Sequence, residues 1–143
     1  MRKPRLALTQ GDPAGVGPET IAGAWSDPTI HDSCEPLVIG HPEILRAAVR
    51  LRATPAEVVE ISAPEEARPS HGVIPCLAVG SADVLDVRPG TIDPRAGHAA
   101  YQAIVLAAEL ALAGRYRYQV INDNMDQAVQ DICRILTCLW EKS

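Results

Sequence analysis

The 143-residue chain contains no phenylalanine, and aromatic residues make up only 3% of it. Its core must therefore be assembled mainly from Ala, Val, Ile and Leu, with Trp25 and Trp140 as the large exceptions. Long apolar runs are missing as well. None approaches the roughly 20 residues needed to cross a bilayer, so no membrane partner is expected. The start, Met1-Arg2-Lys3-Pro4, lacks the long apolar segment of a secretory signal, and a cytoplasmic location is the resulting expectation. There is no basic excess either. A formal net charge of −5 argues against a nucleic-acid partner, because phosphate binding wants a basic surface. Arg46, Arg50 and Arg52 read as the solvated face of one helix. The four cysteines (Cys34, Cys76, Cys133 and Cys138) show no C-x-x-C pair, so reduced, packed thiols are expected.

Several catalytic signatures are also absent. No G-x-S-x-G elbow exists, and no Lys-Ser or Lys-Thr follows a glycine loop as a Walker A motif requires. His31, His41, His71 and His98 are not at i, i+4 spacing to one another and do not pair with a cysteine. Metal sites need three or four convergent ligands, so no metal ligand is assigned among them, and no catalytic residue is assigned at all.

What is there begins with Gly11-Asp12-Pro13-Ala14-Gly15-Val16-Gly17-Pro18-Glu19, directly after the apolar run Leu6-Ala7-Leu8. Three glycines in seven residues, closed by a proline and a glutamate, describe a strand entering a tight loop and then a helix. Glycine allows positive φ and close approach to the backbone. Pro18 suits a first helical turn, and the free amides of that turn could receive an anion. The spacing is not G-x-G-x-x-G. From the residues alone, a structural tight turn and a ligand loop both remain open. Asp12 could accept hydrogen bonds from a ribose or water, or satisfy nearby amides as a turn former. Glu19 suits the first turn through the helix dipole.

The rest of the chain alternates strands and helices. Strands are expected at 5–10, 37–40, 58–61 and 73–79, with Pro75 favouring an edge position for the last. Helices are expected at 18–26, over the stripe Ile44, Leu45, Ala48, Val49 and Leu51, and at 95–113 with Gly114 as terminator. A strand at 117–121 and an amphipathic helix at 125–140 complete the pattern, the helix placing Met125, Val129, Ile132, either Ile135 or Leu136, and Leu139 on one stripe. The fold class is α/β, a layered sheet flanked by helices.

The opening string resembles the amino-terminal signature of the 4-hydroxythreonine-4-phosphate dehydrogenase family. Leu37-Val38-Ile39-Gly40-His41-Pro42 with Ile44-Leu45-Arg46-Ala47-Ala48 is similar to that family's second strand and helix, and Pro89-Gly90 with Ala96-Gly97-His98-Ala99-Ala100-Tyr101 to its later long helix. The resemblance covers about residues 4–115. It implies the first part of an isocitrate/isopropylmalate dehydrogenase-like fold, truncated. It also implies an NAD-dependent, divalent-metal-assisted oxidation of 4-phosphohydroxy-L-threonine or a related phosphorylated hydroxy acid in vitamin B6 synthesis. Gly11, Asp12, Gly15 and Gly17 become the candidate cofactor-binding loop. The family's metal-binding histidines lie in later segments without a counterpart here, so NAD and metal are not expected to bind tightly to this chain alone.

From Tyr116 the chain departs from the family pattern. Tyr116-Arg117-Tyr118-Gln119-Val120-Ile121-Asn122-Asp123-Asn124 looks like the carboxy-terminal strand and helix of guanylate kinases. Residues 1–115 are thus read as a partial dehydrogenase-like domain, and 116–143 as a strand–helix tail of different origin packed on it. Two alternatives stand beside the incomplete dehydrogenase: a non-catalytic α/β association module, with a homo-oligomer left open, and a nucleotide-binding protein related to guanylate kinase. The missing phosphate loop counts against the last.

Overall fold

The computed structural model describes residues 3–114 together with Gln130 and Arg134. The strand and helix expected over 117–121 and 125–140 lie outside the described residues apart from Gln130 and Arg134, both helical and exposed. Cys133, Cys138 and Trp140 lie outside them too.

Four strands, β1 (Arg5–Thr9), β2 (Glu35–Gly40), β3 (Glu57–Ile61) and β4 (Val73–Ala78), form one wholly parallel sheet in the order β1-β2-β4-β3. Within residues 3–114, four α-helices connect them or follow: α1 (Gly17–Trp25), α2 (Pro28–Ser33), α3 (Pro42–Leu51) and α4 (Pro94–Leu112). Short 3-10 turns occupy Pro64–Glu66 and Ala82–Asp86. Parallel strands need crossovers that cover both faces of the sheet, and the two apolar clusters follow that division. Ala22, Trp25, Leu45, Ala48 and Val49 of α1 and α3 pack on Val38, Val58, Ile74 and Cys76. On the opposite face Ala103 of α4, with Leu106, Ala107 and Leu110, packs on Leu37, Ile39, Ile61 and Leu77. Alternate residues of β2 thus feed opposite layers, which is why that strand reads as a continuous apolar run.

Trp25, only 1% exposed, replaces the missing phenylalanines in the first layer. Burying its ring contributes on the order of 3 kcal/mol, and its indole N–H donates to Ser70 O at 2.8 Å, so the one polar atom of the ring is satisfied. Thr54 performs a similar service, its hydroxyl donating to Ala22 O at 2.8 Å and tying the end of α3 to α1.

Helix starts follow one local rule. α2, α3 and α4 each open on proline after a capping side chain: Asp27 accepts from Thr29 N at 2.9 Å, His41 Nδ1 from Glu43 N at 3.3 Å and Asp93 from Arg95 N at 2.9 Å. Proline loses nothing there because its absent N–H would have had no helical partner. At the other end of α4, Gly114 adopts φ +72°, the left-handed turn expected of a helix terminator.

Three expectations need correction. Pro75 does not place β4 at an edge: β4 is interior, between β2 and β3. Its ladder with β2 begins at Val38↔Cys76, one residue after the proline, so on that side the missing N–H removes nothing. Leu51, expected on the buried stripe of α3, is 72% exposed, because the helix ends there and turns away. Arg46 does not stand free in solvent. It pairs with Glu43 and donates to Val58 O at 3.3 Å, bracing α3 against β3.

Candidate functional site

The site begins where the carboxyl ends of the parallel strands open. β1 gives way to Gln10, which is 2% exposed and the largest buried polar side chain among the described residues. Its backbone N–H donates to Ile39 O at 2.9 Å. Its side-chain amide then behaves like a further peptide group. Gln10 Oε1 accepts from His41 N at 2.6 Å, and Nε2 donates to His41 O at 3.4 Å. The β1–β2 ladder is thereby carried one step past the last paired strand residues. Gly40 is small for this reason: a Cβ on it would come within 2.5 Å of Gln10 Cβ and 2.8 Å of Cδ.

The candidate loop follows at once and lies at the surface, with Asp12, Gly15 and Val16 exposed. Gly11 has φ +76° and nothing within 4 Å of where a Cβ would stand. Asp12 Oδ1 accepts from Ala14 N at 2.8 Å, and Gly15 N donates to Asp12 O at 2.9 Å, so Asp12 forms the turn that was one of its two readings. Gly17 meets a demand inside the chain, since a Cβ there would fall well inside 3.0 Å of the Gln10 carbonyl oxygen. Ala14 anchors the loop from below, packed among Val84, Val87, Ala96 and Ala99 and accepting from Gly90 N at 2.7 Å. Among the described α-helices α1 alone lacks a side-chain cap. The first turn of α1 therefore has no side-chain acceptor at its N-cap.

A cleft of about 240 Å³ is lined by His41, Pro42, Glu43, Arg46, Glu60 and Gly80 with its neighbours; residues 11–17 do not line it, and Gln10, which precedes the loop, reaches it by its bonds to His41. The cleft occupies the gap between the ends of β2 and β4. The chain leaves β2 toward the α3 face and leaves β4 toward the α4 face, so the two connections diverge at this point. In open α/β sheets a crevice of this kind is where ligands bind. Sequence reasoning had His41 only as a rejected metal ligand and did not find Glu60 or Gly80. The crevice depends on strand order, which no local pattern carries, although a lone glutamine between an apolar run and a glycine was a readable sign of a buried polar clamp.

Two cysteines and His31 lie in structural surroundings away from the crevice lining, and the buried His31 Nδ1 makes no hydrogen bond. Cys34 and Cys76 are free and buried. Burial raises the Cys34 thiol, and burial, helped by Glu60, pushes Cys76 up to about 12, so both stay protonated and unreactive. His31 packs edge-on against Trp25 and His71. Among the described residues no group of three or more His, Cys, Asp or Glu converges as metal ligands, and no helix is long and apolar enough to cross a membrane.

A parallel sheet covered on both faces, with a glycine loop and a crevice at its strand carboxyl ends, defines a doubly wound α/β protein. Residues 32–131 match the family model described as pyridoxal phosphate biosynthetic protein PdxA, and the chain belongs to that family. It is 42% identical over 113 residues to the 4-hydroxythreonine-4-phosphate dehydrogenase of Trichlorobacter lovleyi, covering 78% of this chain and 34% of that protein. It is 37% identical over 108 residues to the D-threonate 4-phosphate dehydrogenase of Cupriavidus necator, covering 75% and 32%. Among solved structures, the 4-hydroxythreonine-4-phosphate dehydrogenase of Burkholderia phymatum superposes with a TM-score of 0.76 at 34% identity, over 81% of this chain and 35% of that one. The fold is accordingly that of the isocitrate/isopropylmalate dehydrogenase-like proteins, and the chain spans about a third of the length of the curated relatives it matches.

Proposed function

We propose that this chain supplies the first α/β portion of an NAD-dependent, divalent-metal-assisted dehydrogenase acting on 4-phosphohydroxy-L-threonine or a related phosphorylated hydroxy acid in vitamin B6 synthesis. The observation that carries the reading is the exposed glycine loop leading into the uncapped helix α1 and joined to the crevice residue His41 through Gln10, in a chain whose relatives are named as dehydrogenases of phosphorylated substrates. Gly11, Asp12, Gly15 and Gly17 form one wall of the cofactor cleft. The open space over Gly11 suits a nucleotide lying against the backbone, and the free amides at the start of α1 favour its negative charge. NAD, when bound, accepts the hydride lost by the carbinol carbon. Gln10 keeps the loop in register with His41, and Ala14 holds it against α4. The described residues do not fit a divalent metal, so no step is assigned to one here.

On this reading the polypeptide alone does not turn over. The test is NADH formation by the purified chain with 4-phosphohydroxy-L-threonine, NAD and a divalent metal. No NADH above background is expected, and steady formation overturns the statement that the site is incomplete. Loss of loop amide chemical shifts on NAD titration is expected at Gly11, Asp12 and Gly15; an unperturbed loop with shifts elsewhere overturns the loop assignment. The assignment of 116–143 to a separate origin rests on the Tyr116–Asn124 string and stands as part of the same proposal.

A further inference from the structure

The pairing of β1 with β2 runs from Arg5↔Glu35 to Thr9↔Ile39. In a parallel ladder a residue donates to the neighbour just before its partner and accepts from the neighbour just after it. Pro4 O, accepting from Glu35 N, and Gln10 N, donating to Ile39 O, both follow that rule. The next rung should then run from His41 N to the main-chain oxygen of Gln10. The molecule makes it differently: His41 N donates at 2.6 Å to Oε1, at the far end of the Gln10 side chain.

Exchanging one carbonyl for the other leaves the main-chain oxygen free to turn away from β2. It faces Gly17, the first residue of α1, where any Cβ would strike it. Gly11 takes φ +76° and carries the chain out of the sheet. Both ends of the loop thus meet at Gln10, since Gly11 follows it in sequence and Gly17 packs on its oxygen. The anchor is held from its far side. β2 stays paired with β4 as far as Gly40↔Ala78, Gly40 O accepts from Val79 N at 3.0 Å, and His41 caps α3. Gly40, with no side chain, leaves the Gln10 amide room to reach that anchor.

We infer that Gln10 is the positioning residue of loop 11–17, in a role that rests on the reading of that loop as a wall of the NAD cleft. Being 2% exposed, it acts from beneath the loop and not by touching a ligand. Its amide makes the rung, its main-chain oxygen is thereby directed at α1, and so the side chain decides where the loop leaves the sheet. A residue 10 without a side-chain acceptor returns the rung to the main chain. The peptide between residues 10 and 11 then swings toward β2 and draws its oxygen off Gly17.

NMR on the full chain tests this. In the parent, the scalar coupling across the hydrogen bond from the His41 amide nitrogen should reach the side-chain carbonyl carbon of Gln10. Coupling to the main-chain carbonyl carbon overturns the inference. In Gln10→Met, which keeps the length without a comparable acceptor, the coupling should move to the main-chain carbonyl of residue 10. The amides of Gly11, Ala14, Gly15 and Gly17 should shift with it, while those of Leu37 and Ile74 stay. A glutamine that only fills space would lower the urea midpoint and leave the loop resonances in place, and that outcome overturns the inference. Gly40→Ala crowds the amide with residue 10 unchanged, and should move the same loop resonances. NAD titration separates the two roles. Where NAD shifts the parent's loop, Gln10→Met should weaken binding by about tenfold or more, and equal binding overturns the positioning role. A parent loop unmoved by NAD sinks the cofactor assignment, while the ligand-free spectra still decide whether Gln10 sets the loop. The coupling in the parent decides the bond whatever the stability of the variants.

Discussion

Gly17→Ala isolates the close approach between the end of β1 and the start of α1. The added Cβ would fall well inside 3.0 Å of the Gln10 carbonyl oxygen, with the carbonyl carbon at 3.4 Å and Gly11 Cα at 3.9 Å. The oxygen has little room to retreat, because Gln10 is held by its N–H on Ile39 and by both ends of its side-chain amide on His41. α1 must therefore lift from β1, an overpacking that costs about 3 kcal/mol at the upper end of the usual range. Alanine returns up to about 1 kcal/mol of helix propensity, so the net loss is about 2 kcal/mol. Two other glycines separate this cause from backbone conformation. Gly11→Ala has free space but needs φ +76°, and costs about 1 kcal/mol. Gly72→Ala has free space and no positive φ, so it is neutral or stabilising by up to about 1 kcal/mol. Urea unfolding of the three variants measures the order directly. G17A within about 0.5 kcal/mol of the parent, or less damaging than G11A, refutes the reasoning.

Thr54→Val keeps the shape but removes the donor to Ala22 O, and should cost about 1 kcal/mol in the same urea assay; no loss means the bond between α3 and α1 is not felt. In a background with Cys133 and Cys138 replaced by serine, Cys34 and Cys76 should resist a thiol reagent at pH 8 until the chain is unfolded, and rapid native labelling would contradict their burial. Because the Cys76 thiol is raised to about 12, its contribution to stability is intact below its ordinary value of 9.0 and is lost as pH climbs from there toward 12, which alkaline unfolding curves of C76S against the parent will show. Arg95, through its side chain first and its backbone amide second, holds Asp93 down to about 2. The start of α4 should therefore stay capped as pH falls below 3.8 and fray only toward pH 2, and a titration of the Asp93 carboxyl carbon with an ordinary midpoint would refute the pairing.

Most of the element order was readable because each element carries its own punctuation. Pro42-Glu43 and the residues after Asp93-Pro94 were readable as helix starts, whereas Asp27-Pro28 read as a loop and opens the six-residue helix α2 by the same cap-then-proline arrangement. Strand order was not readable. Pro75 suggested an edge on local grounds, and its tolerance in an interior strand depends on where the ladder with β2 begins. The glycine loop was visible in the sequence, but its internal reasons were not: Gly17 and Gly40 are small because of Gln10, whose role needs the two strand ends side by side. The crevice at His41, Glu60 and Gly80 joins residues from three distant stretches, and only the sheet order brings them together.

The Gln10 clamp makes two segments, 31 residues apart in sequence, into one mechanical unit. Anything that tugs the glycine turn outward must strip His41 of both amide partners, so the turn and the crevice lip travel together or not at all. The link consists of hydrogen bonds of 2.6 and 3.4 Å, and displacing the turn has to break both or carry His41 with it.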